Sequence, residues 1–273
     1  MNQQGYGSAN TRHAIGLLWT LTLAGTCLVT VIGSPHPTRA SEISLVDPAD
    51  PNSPTQVDYS LKIEGTLVTP SQNGGTQWNL ISTAEFVFDQ RRFPADATGP
   101  FTLRAIRRFA TAKTDSIVGK DHKTSAVLPQ QANLIHLYGA ENQLLQLSPQ
   151  VRLTRQQVDL LQIPCDPIVA TGLLPARNLK DQSEKWNADS WVIPMLAGVD
   201  AAVSQSATCQ IKSLTENEAV IAFEGTTEGA VTGSATKITL KGEFVFDRII
   251  NRIRSFDAVQ SEKREPGPFS PGL

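Results

Sequence analysis

The sequence predicts an α+β protein: two duplicated antiparallel β-units, as a curved sheet or half-barrel, covered by a short central helical segment. Three observations predict it. The pentapeptide Glu85-Phe86-Val87-Phe88-Asp89 returns unchanged as Glu243-Phe244-Val245-Phe246-Asp247. Each copy follows a second shared string, Glu64-Gly65-Thr66 and Glu224-Gly225-Thr226, and an ordered pair of strings marks a duplicated supersecondary unit. Both copies lie in stretches of period-two polarity, whereas the residues between them switch to helical spacing with capping signals. The string-to-pentapeptide spacing differs by two residues between the copies, which points to a change in hairpin-loop length.

Residues 1–40 read as a signal peptide. Arg12 and His13 supply a positive start, and residues 14–34 run uncharged and rich in Leu, Val and Ile. Pro35 and Pro37 break the run, and Thr38-Arg39-Ala40 offers small residues for cleavage after Ala40. The run is also near the length that spans a bilayer, so an uncleaved N-terminal anchor is the alternative, with membrane contact only through that segment. The chain is expected to be exported, periplasmic or secreted. Cys27 leaves with the signal, and Cys165 and Cys209 remain. They are candidates for one disulfide, closing a loop of roughly 45 residues and adding about 3–4 kcal/mol. Two separate buried thiols are the alternative.

Residues 41–56 read as a Pro-rich linker, a solvated tether, because Asp47-Pro48, Asp50-Pro51 and Ser53-Pro54 hold the backbone extended or turned. The first β-rich repeat spans 57–150. Leu61, Ile63, Gly65 and Leu67 alternate with polar residues, Asn73-Gly74 is a hairpin signal, and Trp78, Leu80, Phe86 and Phe88 continue a second strand. Residues 103–109 form a basic strand, and 132–138 with 143–147 a further hairpin. The helical insert spans 151–208. Thr154 and Gln157 form a capping box ahead of Val158, Leu160 and Leu161. Asp166-Pro167 starts a second short helix that Pro175 stops. Residues 189–207 are expected to hold a third helix, with Trp191, Leu196 and Val199 on its buried side. The second β-rich repeat spans 209–265, and 266–273 is a frayed or draped tail.

Composition narrows the function classes. Of 273 residues, 40% are hydrophobic and 18% charged, enough to bury a core. The formal charge is -2, and Arg12 and Arg39 are the only charged residues before position 41, so the mature chain is more acidic still. That balance, with only 6% aromatics, lacks the footprint of a nucleic-acid binder. No His-Glu-x-x-His, Cys-x-x-Cys, Gly-x-Ser-x-Gly or P-loop string occurs, so no catalytic residue, metal ligand or cofactor is assigned. His136 sits in an apolar run and His122 in a polar turn. The repeated acids Glu64 with Glu224, and Glu85 with Glu243, are the symmetric candidates for carboxylate-based hydrolysis, a reading that needs them, or His136, to meet in a cleft.

The strings Leu153-Thr154-Arg155-Gln156-Gln157-Val158-Asp159-Leu160-Leu161, Leu173-Leu174-Pro175 and Lys185-Trp186 resemble an uncharacterised family of exported planctomycete proteins. The Gly- and Ala-rich stretch 225–233 and the closing Pro266-Gly267-Pro268 with Pro271-Gly272-Leu273 add to the resemblance. Members of that family often carry Gly ahead of the tryptophan motif, where this chain has Ser183-Glu184. The family implies no activity. More distantly, two strand-rich halves with covering helices look like lipoprotein-carrier half-barrels, an analogy of fold alone.

The leading expectation is therefore a non-enzymatic exported bacterial module that binds a partner or organises the envelope. One variant carries an amphiphilic or lipidic ligand on the concave face of the sheet. Phe86, Phe88, Phe244 and Phe246 would line that face, with Arg104, Arg107 and Arg108 at its mouth. The opposing reading packs these phenylalanines under the helices and leaves the basic strand as a solvated face. The other variant docks an envelope protein on an exposed sheet edge.

Overall fold

The computed structural model describes residues 42–69, 75–94, 102–140, 143–267 and 271–273, together with the backbone of 3–10. The Asn73-Gly74 turn, the apolar run 14–34 and the cleavage position lie outside the described residues. Antiparallel strands dominate: β1 (Gln3–Asn10), β2 (Thr55–Thr69), β3 (Thr76–Arg92), β4 (Thr102–Val118), β5 (His122–Val127), β6 (Leu134–Ala140), β7 (Gln143–Leu147), β8 (Lys185–Asn187), β9 (Ala201–Leu214), β10 (Glu218–Val231), β11 (Ser234–Asp247) and β12 (Arg252–Arg264). Their order is β7-β6-β4-β3-β2-β1-β12-β11-β10-β9-β8, with β5 also on β4. Three short helices, α1 (Arg155–Leu161), α2 (Pro167–Ala170) and α3 (Val192–Ala197), lie in the connection between the two halves. The fold is α+β, two antiparallel β-units with a small helical cover.

The units repeat head to tail. β1 pairs antiparallel with both β2 and β12, so those two strands run the same way. The first unit reads β4-β3-β2 across the sheet and the second β12-β11-β10. Gly65 pairs with Leu80 and Gly225 with Leu240, so both hairpins have the same span from glycine to leucine. The two-residue difference in spacing therefore lies along the strand, not in the loop as expected. A shift of two residues returns each side chain to the same face. Both copies also meet a β-bulge at the same point, between Val87 and Phe88 against β4 and between Val245 and Phe246 against β12. A bulge bends its strand and raises the local twist, so the shared pentapeptide marks a shared curvature.

One face of the sheet is covered, and its core falls into two clusters. Under the first unit, Tyr59, Phe86, Phe88, Phe109, Ile135 and Leu137 pack against Leu160 and Leu161 of α1. Under the second, Phe223, Phe244, Phe246 and Phe256 pack against residues of α2 and α3. Local signals place the helices. Thr154 and Gln157 make the expected capping box, with the Gln157 amide donating to Thr154 Oγ1 at 3.3 Å and the Thr154 amide donating to Gln157 Oε1 at 2.8 Å. Asp166 caps α2, accepting from the Ile168 amide at 2.9 Å. Trp186 donates through Nε1 to the Leu173 carbonyl at 2.8 Å, tying β8 to the segment after α2.

Three expectations are refined or corrected. The range 189–207 does hold a third helix, but it is confined to Val192–Ala197: Gly198 adopts a left-handed φ of 71° as the cap of α3, and β9 begins at Ala201. The segment 41–56 is not a solvated tether. Ile43 and Leu45 are buried in the second cluster, Ile43 bridges Leu179, and Asp47 holds Arg92 through bonds of 3.0 and 2.5 Å. Prolines fixed its extended shape, and alternation of apolar residues gave it a buried side. The tail is draped rather than frayed: Gly272 exchanges two 2.8 Å backbone bonds with Val68, and Leu273 is buried beside Arg264.

Candidate ligand cleft

Between the two core clusters the helices leave the covered face open. β2 and β12, with β1 between them, form the floor of a cleft of about 580 Å³. That volume lies within the roughly 300–1,000 Å³ typical of small-molecule sites. Alternation aims Leu61, Ile63 and Leu67 of β2 into the cleft, and Leu80 of β3 joins them. Across the floor stand Ala258, Gln260, Glu262 and Arg264 of β12. β1 crosses between them, with Gly7 in register with both Leu61 and Ala258, and Gly5 with both Ile63 and Gln260. Met195 and Val199, at and beyond the end of α3, give the opposite side an apolar surface.

The polar groups divide into satisfied pairs and a glutamine wall. Glu262 is buried, takes Arg264 Nε at 2.7 Å and accepts from Thr236 Oγ1 at 3.1 Å. Asp166, at the inner end, is occupied by Arg107, and Tyr59 donates to the Pro164 carbonyl at 2.7 Å. Gln146 of β7 and Gln162 beyond α1 are drawn together where Gln146 Nε2 donates to the Leu161 carbonyl at 2.7 Å, and Gln143, exposed at the start of β7, borders the rim. Gln146 Oε1 is buried and, among the described residues, accepts no hydrogen bond.

The residues singled out from sequence fall elsewhere. Phe86, Phe88, Phe244 and Phe246 are at most 2% exposed and lie within the clusters, not along the cleft. They pack on one another's neighbours, Phe88 on Phe109 at 4.9 Å and Phe244 on Phe256 at 6.2 Å between ring centres. Arg104, Arg107 and Arg108 form no strip. Arg108 is exposed, Arg104 is half-buried against Gly139, and Arg107 is fully buried under the first unit. Arg107 donates to Asp166 at 2.7 and 2.6 Å and to Gln90 at 2.8 Å, and lies 4.7 Å over the Phe88 ring. Cys165 and Cys209 are both buried free thiols, not a disulfide. Burial pushes each thiol up to about 12, and the Asp166 carboxylate adds to the shift at Cys165.

Nor do the acids converge. Glu64, Glu85, Glu224 and Glu243 are exposed, paired respectively with Lys62, Lys113, Lys241 and Lys212. His136 faces away from the buried Ile135 and Leu137, beside Tyr138. Sequence reasoning missed the cleft residues because Leu61, Ile63, Leu67 and Leu80 carry the ordinary pattern of core. Their half-buried state follows from where the helices stop, which strand periodicity does not encode. No family model, curated protein or solved structure matches the chain.

Proposed function

We propose that the protein is an exported bacterial, non-enzymatic binding module whose cleft holds an amphiphilic or lipidic ligand. The observation that carries this reading is the unfilled space between the two core clusters, with leucine and isoleucine on its floor and glutamines at its wall. Covering those half-buried side chains with an acyl chain stabilises the complex by about 25 cal/mol for each Å² removed from water. The exposed, lysine-paired positions of the repeated acids favour binding over hydrolysis.

The test is displacement of a neutral naphthylamine dye by a dodecyl amphiphile, in the wild type and in Leu61→Trp. The wild type should take up dye and release it to the amphiphile, and the bulky variant should do neither while unfolding at an unchanged temperature. Equal dye uptake by both proteins would contradict the assignment of the cleft.

A second reading rests on β9. Only Thr208 to Gln210 pair with β8, so among the described residues no strand covers the outer edge over 201–207, where Val203 is 90% exposed. Such an edge can accept a strand from an envelope partner. Capture of a partner that Val203→Pro abolishes would favour that reading.

A further inference from the structure

The cleft also carries information about the head group of its ligand, and this step rests on the amphiphile reading above. The charged groups along its walls are already matched. Asp166 is neutralised by Arg107 and Glu262 by Arg264, in contacts of 2.6 and 2.5 Å. Asp200, at the rim, accepts from the Thr232 amide at 2.6 Å. Among the described lining residues, no cation is left without a carboxylate partner. An anionic head drawn into this space would lose water and meet no opposite charge, which is costly.

The glutamine wall offers something different. A glutamine amide both donates and accepts, so Gln143, Gln146 and Gln162 match hydroxyls and amides without a charge. Gln146 adds direction. Its Nε2 is committed to the Leu161 carbonyl, and its buried Oε1 has no donor among the described residues. A buried acceptor without a partner is an expense that a ligand O–H or N–H removes.

We infer that the cleft selects an uncharged amphiphile whose head donates hydrogen bonds through hydroxyls or amides, against a carboxylate or phosphate on the same chain. Gln146 Oε1 is the acceptor at the centre of that recognition, and Gln143 and Gln162 extend it towards solvent.

The experiment titrates the purified full-length protein with monolauroylglycerol and with laurate, both below their aggregation concentrations, by calorimetry. These probes share an acyl chain and differ in the head. The glyceride should bind at least about ten-fold tighter. Gln146→Leu should bring the two affinities within about three-fold, chiefly by weakening the glyceride. Gln143→Leu and Gln162→Leu, at more exposed positions, should narrow the gap in the same direction and serve if the buried variant fails to fold. Laurate binding as tightly as the glyceride would overturn the inference and leave the amphiphile reading standing. Binding of neither probe would overturn both.

Discussion

Asp166 joins Arg107 to the start of α2: its carboxylate accepts two parallel bonds from the guanidinium, at 2.7 and 2.6 Å, and one from the Ile168 amide at 2.9 Å. The first β-unit is thereby fastened to the helical cover by a buried charge pair. Breaking such a pair leaves one charge without a partner, at a cost of about 3–5 kcal/mol, whereas replacing both members with apolar residues is far milder. Arg107→Met and Asp166→Ala should each lose about that much in urea unfolding. The double variant Arg107→Met with Asp166→Leu should lose less than either alone. Single variants within about 1 kcal/mol of the wild type would contradict the pairing.

The thiols give a prediction in pH. Cys165 and Cys209 have folded pKa values raised from 9.0 to about 12. A group whose folded value is raised contributes stability fully below its unfolded value and loses it as pH climbs through the folded value. Stability should therefore fall between pH 9 and about 12, and fall less in the double variant Cys165→Ala with Cys209→Ala. At pH 8 neither thiol should react with an aromatic disulfide until the protein is denatured. A folded chain two hydrogens light, or a thiol that reacts at once, would contradict the buried free state.

The glycine of the second Glu-Gly-Thr string has a packing role. A Cβ on Gly225 would stand 2.6 Å from Ile193 Cδ1 of α3 and 2.9 Å from the Ser206 carbonyl oxygen. Gly225→Ala should push α3 off the sheet and cost about 1–3 kcal/mol, the scale of overpacking. Ile193→Ala in the same chain should recover part of that loss. Thermal unfolding of the three variants checks the coupling, and independent, additive losses would argue against the contact.

How much of this was legible in the sequence depends on how local each feature is. The pentapeptides announced a repeat because strand alternation is written residue by residue, and the caps at Thr154 and Asp166 were readable for the same reason. Arg107 was not. In a run with Arg104 and Arg108 it resembles a solvated face, and its partner lies 59 residues away. Bulges on β4 also shift the phase of alternation, between Leu103 and Ala105 and again beside Phe109, so the buried positions do not follow a simple count. Ile43 and Leu45 carried a period-two signal that the neighbouring prolines obscured. The cleft had no local signature, because it is space left between two core clusters.

Cleavage after Ala40, if it occurs, would remove β1, which pairs with residues 58–64 of β2 and 255–262 of β12. Those strands would then face each other across about 10 Å, twice the strand spacing. Amides of β2 and β12 that bond β1 should exchange with solvent faster in a chain starting at residue 41 than in the full chain. Equal protection in both would show that β1 contributes nothing to the sheet.

The central claim is that the cleft carries a ligand. Native mass spectrometry of the full-length chain, which keeps β1 in the cleft floor, purified from an envelope-containing host without detergent, tests it most directly. The expected spectrum shows a discrete added mass that organic solvent removes and that Leu61→Trp lacks. A clean apo mass for the wild type, unchanged after incubation with dodecyl amphiphiles, would contradict the account.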